Sequence, residues 1–141
     1  MVLPDVNLFV YAFRSDTGEH RAARAWLDSE LGGPSPVGLC SAALTGFVRV
    51  VTHPRIFAAP STVEAALEFV AAVRSSPVAL PAEAGRSYPR IFDELCRVTG
   101  AAGNQIPDVH LAAIAIEHGA ELASHDRGFT RFPGLRHNDP L

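Results

Sequence analysis

At 141 residues, 48% apolar and 19% charged, the chain has the make-up of one globular domain, able to bury roughly two-thirds of its unfolded surface. A net charge of −3 excludes a global basic field for nucleic acid, and no apolar run reaches membrane-span length, because Glu, Arg, Asp or His interrupts each one. Cys40 and Cys96 lie far apart and outside any CxxC pair, and no basic stretch precedes an apolar core at the N-terminus. These features argue against a zinc site, a disulfide framework or a secretory signal, and lead us to expect a cytoplasmic protein with both thiols buried.

Residues 2–6 read as a short buried strand and 7–13 as a short helix. From Thr17 an amphipathic helix is expected, with Ala22, Ala25, Trp26 and Leu27 inward, stopped by Gly32-Gly33-Pro34. Residues 37–40 read as a second strand, after which Ser41 is expected to cap a helix ending before Pro54. A further helix starts after Pro60, with Val63, Ala66, Leu67 and Val70 on its inner side and Glu64 and Glu68 outside. A third strand follows at 78–80. Residues 83–99 carry a helix, begun or interrupted near Pro89, with Ile91, Leu95 and Val98 inward. After a loop at 100–104, Pro107 suits the opening of a helix over 107–118 that is apolar on nearly every side, the mark of a central element. Strand four is expected at 121–124 and an edge strand at 135–137. Strands alternating with helices imply a largely parallel sheet covered on both faces, a three-layer α/β fold.

Three aspartates stand at places such a fold brings together. Asp5 and Asp126 follow strands one and four, and Asp108 lies in the first turn of the apolar helix. Ligands of open parallel sheets bind beyond the carboxyl ends of the strands, where the winding reverses. Carboxylates gathered there repel one another unless a cation neutralises them, and hard oxygen ligands select Mg²⁺ or Mn²⁺. Each acid also has an ordinary role open to it. Asp5 can cap the helix beginning near Asn7, Asp108 suits a helix dipole, and Asp126 suits a turn. Asp5 lies in an otherwise apolar segment, where an unpartnered charge is costly.

The blocks LPDVNLFVYAF, TGFVRVVTHPRIF and IPDVHLAAIAIEHGAELASHDRGFTRFPGLR, in that order and spacing, resemble a PIN-domain protein, and more closely the VapC toxins of bacterial toxin–antitoxin pairs. The resemblance spans nearly the whole chain, as one PIN domain over 1–141. It implies an α/β/α fold and a Mg²⁺-dependent endoribonuclease leaving 5′-phosphate and 3′-hydroxyl ends. It also implies a VapB-type antitoxin whose tail blocks the acidic pocket, and a homodimer. By motif, Asp5 and Asp108 match metal-binding aspartates and Asp126 an acid acting through water, while Asn7 and Ser124 match polar positions flanking the site. One departure stands out. The family usually has a glutamate in the helix after strand two, where this chain has Thr45 or Gly46. That loss supports an alternative: a PIN-fold module that binds antitoxin or RNA without efficient cleavage. A phosphatase with an aspartyl nucleophile at Asp5 is disfavoured, since that chemistry wants a second aspartate where Asn7 stands.

All twelve basic residues are Arg. Arg14, Arg49, Arg55, Arg127 and Arg131 are candidates for phosphate contacts, which would make binding salt-sensitive without choosing a sequence. His110, His118 and His125 form no metal-binding pattern, and His125, beside Asp126, is expected to be neutral and hydrogen-bonded. Trp26 and the eight Phe residues are expected mostly in the core, with no base-stacking platform evident in their spacing.

Overall fold

A computed structural model describes residues 1–141. Five short strands, β1 (Val2–Pro4), β2 (Val37–Leu39), β3 (Ala79–Pro81), β4 (Glu121–Ala123) and β5 (Arg136–Asn138), form one sheet in the order β3-β2-β1-β4-β5, all parallel. The helices are α1 (Val6–Phe13), α2 (His20–Gly32), α3 (Ser41–Val51), α4 (Val63–Arg74), α5 (Tyr88–Thr99) and α6 (Ile106–Glu117). Helices α1 to α4 pack against one another on one face, and α5 with α6 on the other, so the three-layer α/β/α expectation holds. No helix is long and apolar enough to cross a membrane.

The strand order decides where the chemistry sits. From β1 the chain winds outward through β2 to β3, then returns to the other side of β1 as β4. The winding therefore reverses between β1 and β4, which pair directly through Leu3 and Leu122. Their carboxyl ends open a crevice there. Leu3 and Leu122 pair across the middle of the sheet, fully buried like Val37, in a core that also holds Phe9, Phe47, Val109 and Ile114.

Several expectations needed correction. Helix α2 buries Ala23 and Leu27, leaves Trp26 half-buried and exposes Ala22 and Ala25. On α4, Ala66, Val70 and Val73 face inward, while Val63 and Leu67 are 48% and 53% exposed. Val98 is 64% exposed, so α5 turns only Ile91 and Leu95 fully to the core. Cys40 is buried but Cys96 only half-buried. Ser41 is not the cap of α3 either. Its N–H donates to Glu83 Oε1 at 2.8 Å, so a carboxylate distant in sequence satisfies that helix end.

Other breakers act where the sequence placed them. Gly100 closes α5 with φ 66°, a left-handed conformation that glycine adopts without Cβ strain. The same layer is tied together by Glu117 at the end of α6, whose carboxylate accepts the N–H groups of Gly85, Ser87 and Tyr88 at 2.7, 2.6 and 3.0 Å. These are the orphan donors leading into α5, and they hold the Glu117 carboxyl below its ordinary value.

Candidate active site at the carboxyl edge of the sheet

Asp5 leaves β1 in extended conformation and caps α1, its Oδ1 accepting the Val6 N–H at 2.6 Å. Its backbone N–H donates to Ala123 O across the β1–β4 junction at 2.9 Å. One residue further along β4 lies Ser124, fully buried. The Ser124 hydroxyl donates to Asp5 Oδ2 at 2.8 Å and accepts from Asn7 Nδ2 and from the Asp126 backbone N–H, each at 3.0 Å. One hydroxyl thus ties together the two strand ends, the first turn of α1 and the turn carrying Asp126. The sequence marked Ser124 as a flanking position; in the fold it is the hub.

Asp126 Oδ1 accepts the Gly128 N–H at 2.7 Å, fixing the turn that follows β4. Asp108, in the first turn of α6, pairs with Arg131, its Oδ2 2.9 Å from Nη2. All three acids line one cavity of about 550 Å³, together with Asn7, Asn104, His110 and Arg49. Their proximity registers electrostatically. Burial pushes the Asp5 carboxyl from its ordinary 3.8 up to about 6, the bonds from Ser124 and Val6 oppose this, and the charges of Asp108 and Asp126 add to the rise.

Chemistry and geometry together test the implied divalent ion. No three of these acids stand close enough to surround one ion directly. Magnesium does not require that, since it is commonly held by one or two carboxylates and retains waters. Two further observations fit a cation. Asn7 Oδ1 is buried without a hydrogen-bond partner, and the Asp5 charge is disfavoured by its own surroundings. The residues present fit a water-rich Mg²⁺ or Mn²⁺ site, provided Arg131 yields Asp108.

The α3 wall of the cavity carries no acid. Ala42, Ala43, Arg49 and Val50 line it, and Thr45 does not. At Gly46 a Cβ would lie 2.9 Å from Val6 Cγ2, so that position is closed by packing against α1.

Of the five candidate arginines, Arg49 lines the cavity and Arg131 holds Asp108. Arg127 is exposed beside Asp126. Arg14 is not a phosphate ligand in waiting. Its guanidinium donates to both Asp16 oxygens at 2.8 and 2.5 Å, and to Ala59 O and Ser61 Oγ at 2.8 and 2.9 Å. It also lies 4.1 Å over the Phe57 ring. His125 is hydrogen-bonded as expected, to Asp139 at 3.0 Å, while His110 Nδ1 meets the Tyr88 hydroxyl at 2.6 Å and His118 meets Glu83 O at 2.8 Å.

Sequence reasoning missed Tyr11, Ile56, Phe57, His110 and Asn104 as cavity residues. Tyr11 was within reach, since it lies four residues after Asn7 on α1, one helical turn along the same face. Nothing local marked Ile56 or Phe57.

An acidic crevice at the winding reversal of a parallel sheet defines a class of site suited to cation-assisted phosphate chemistry. Residues 2–135 match the PIN domain family. The chain is 40% identical over its full length to the VapC ribonuclease Mb2897 of Mycobacterium bovis, covering 96% of that protein. It is 39% identical over 140 residues to ribonuclease VapC25 of Mycobacterium tuberculosis, covering 99% of each chain. A chain of the VapBC2 complex from Rickettsia felis, solved bound to a DNA fragment from its promoter, shares the fold. The TM-score is 0.71 over 98% of both chains, at 18% identity. The chain belongs to the PIN-domain family and, within it, groups with the VapC ribonucleases.

Proposed function

We propose that this protein is a metal-dependent endoribonuclease, the toxin of a toxin–antitoxin pair, and that Asp5, Asp108 and Asp126 carry its chemistry. The observation behind the reading is the shared cavity, in which Ser124 binds Asp5 directly and positions the turn bearing Asp126. Asp5 and Asp108 would hold Mg²⁺, or Mn²⁺ in its place, partly through water. When bound, that ion supplies positive charge to the scissile phosphate and makes water a stronger nucleophile.

The remaining work falls to the chain's own groups. Ser124 and the Val6 N–H fix Asp5 in one orientation. Asp126 commits Oδ1 to Gly128, leaving its second oxygen to orient the attacking water and take its proton. Arg49, on the facing wall, contacts a phosphate oxygen, and Arg127 extends that contact along the strand. In-line attack leaves 5′-phosphate and 3′-hydroxyl ends. A VapB-type antitoxin fits as the partner, because the cavity is lined by three acids that a basic segment would neutralise. The reading extends to a homodimer.

The test is cleavage of a mixed cellular RNA pool by purified protein with Mg²⁺, with EDTA, and by the Asp108→Asn variant. Discrete fragments made only by the wild type with metal are expected. Equal cleavage by Asp108→Asn would remove these residues from the chemistry.

A second reading keeps the fold as a module that binds antitoxin or RNA without efficient cleavage. The acid-free α3 wall and the Arg131–Asp108 pair favour it. RNA retained but uncut, with both Mg²⁺ and Mn²⁺ supplied, decides for it.

A further inference from the structure

The cavity has two chemically different halves. Asp5, Asp108, Asp126 and Asn104 supply a polar rim, while Val10, Tyr11, Val50, Ile56, Phe57 and Leu111 form an apolar wall in the same continuous space. Phosphodiester hydrolysis needs only the first half. We propose that the wall is a nucleobase subsite, in which an unpaired base next to the scissile phosphate leaves its stack and lies against Phe57. The proposal rests on the ribonuclease reading and adds the part of the substrate recognised beyond the backbone.

Three features carry it. The wall is continuous with the acids, so a phosphate at the acids presents its adjoining nucleotide to the wall. The same continuous space includes Arg49, a cation available to that backbone. The cavity, at about 550 Å³, lies within the range of roughly 300–1,000 Å³ typical of small-ligand sites. The third feature is rigidity. Phe57 belongs to the connection between α3 and α4, a segment pinned at several points. Its own N–H and that of Ile56 donate to His53 O, each at 3.1 Å, and Ser61 N donates to Val51 O at 2.8 Å. Arg14, only 11% exposed and bound to Asp16, Ala59 and Ser61, covers one side of the Phe57 ring. The ring can offer the cavity only its remaining face or edge, already oriented. Arg14 is therefore a positioning residue, and Ile56, 49% exposed, is apolar surface that a base would cover. Aromatic faces accept any base, so the subsite selects unpaired RNA over duplex before it selects sequence.

The experiment uses three probes: a short mixed-sequence single-stranded oligoribonucleotide, its base-paired duplex, and an abasic strand of the same length. Phe57→Trp in the Asp108→Asn background places an emitter on the wall, and the Asp108→Asn parent, with Trp26 alone, is the control. Single-stranded RNA should quench the new emission, while duplex and abasic strand leave it unchanged. In the otherwise wild-type enzyme, Phe57→Leu should raise KM for the single strand roughly ten- to a hundredfold with kcat little altered, and Phe57→Trp should restore it. Equal binding of abasic and base-bearing strands overturns the proposal. So does a Phe57→Leu enzyme that binds RNA normally but loses affinity for its antitoxin, since the wall would then seat protein. If the wild type cuts no RNA, the ribonuclease reading fails, and the quenching comparison still decides the subsite.

Discussion

Replacing Asp5 by Asn should make the metal-free protein more stable at neutral pH, even though it removes a proposed site residue. The Asp5 carboxyl is pushed from 3.8 to about 6, with burial as the largest cause and the charges of Asp108 and Asp126 adding to it. At about 1.4 kcal/mol per pH unit, ionised Asp5 costs the fold about 3 kcal/mol. The direction follows from linkage. Because the folded value lies above the unfolded one, the stability from this group is complete below about pH 4. It is lost as pH rises through about 6, and the loss then stays constant. Asn keeps an oxygen for the Val6 N–H but lacks the charge, so the variant escapes the loss. Imperfect replacement of the Ser124 bond trims the gain to about 2 kcal/mol, or roughly 4–8 °C in Tm for a chain of this size. The assay is urea denaturation of both proteins in EDTA from pH 4 to 8, plotted as a difference so that other titrating groups cancel. The difference should stand slightly against Asp5→Asn near pH 4, where only the poorly replaced Ser124 bond counts, and turn in its favour by pH 7. Saturating Mg²⁺ should narrow the separation by stabilising the wild type alone. A difference flat across this range, or a less stable Asp5→Asn at pH 7, would refute the electrostatic account of the site.

Ser124→Ala should cost about 1–3 kcal/mol, because the buried Asn7 amide and the Asp126 N–H both lose their acceptor; unchanged thermal unfolding would deny Ser124 its hub role. Gly46→Ala should destabilise by about 1–3 kcal/mol, since its Cβ meets Val6 Cγ2 at 2.9 Å. Ala42→Glu, exposed on the cavity wall, should leave Tm unchanged and tighten Mn²⁺ binding measured by calorimetry. Unaltered Mn²⁺ affinity would mean that α3 does not face the ion. Glu117→Gln should lower Tm at pH 7, since the carboxylate that accepts three N–H groups is held below its ordinary 4.5. That contribution exists above pH 4.5 and disappears as pH falls through the depressed folded value, so the gap between variant and wild type should close in acid. A gap persisting there would assign the effect to packing.

The architecture was legible because its punctuation is strong. Gly32-Gly33-Pro34, Pro54, Pro77 and Gly119 leave little freedom in dividing the chain, and alternating strands and helices allow few topologies. Helix faces were less legible. In α2 the pattern is carried by alanines, which are nearly indifferent to exposure, so choosing Ala22 and Ala25 over Ala23 rotated the helix away from its true face. Cross-chain satisfaction was not legible at all. Glu83 reaching the α3 N-terminus, Glu117 reaching the segment before α5, and Arg14 bracing the Ser61 region join residues distant in sequence, and no local pattern announces them. The apolar wall escaped for the same reason: its parts come from α1, α3, α6 and a loop, and they meet only after folding.

For Asp5 and Asp126 the structural role leaves the proposed functional one open. A carboxylate has two oxygens, and this site divides them. Asp5 gives Oδ1 to the cap of α1 and Oδ2 to Ser124, and Asp126 gives Oδ1 to its turn and keeps the other oxygen unbonded. The caps hold both carboxylates at the carboxyl edge of the sheet, where they line the shared cavity. For Asp5 and Asp126, capping is therefore how the fold positions the charge. This determines which substitutions are informative. Ala at position 5 or 126 removes cap and charge together, so lost activity would not separate a misplaced turn from missing chemistry. Asn retains an oxygen for the Val6 or Gly128 N–H and removes the charge, at position 5 together with the acceptor of the Ser124 hydroxyl. If Asp126→Asn keeps the wild-type Tm while losing cleavage, the charge itself is required; if both fall together, Asp126 is the turn residue its local sequence suggested.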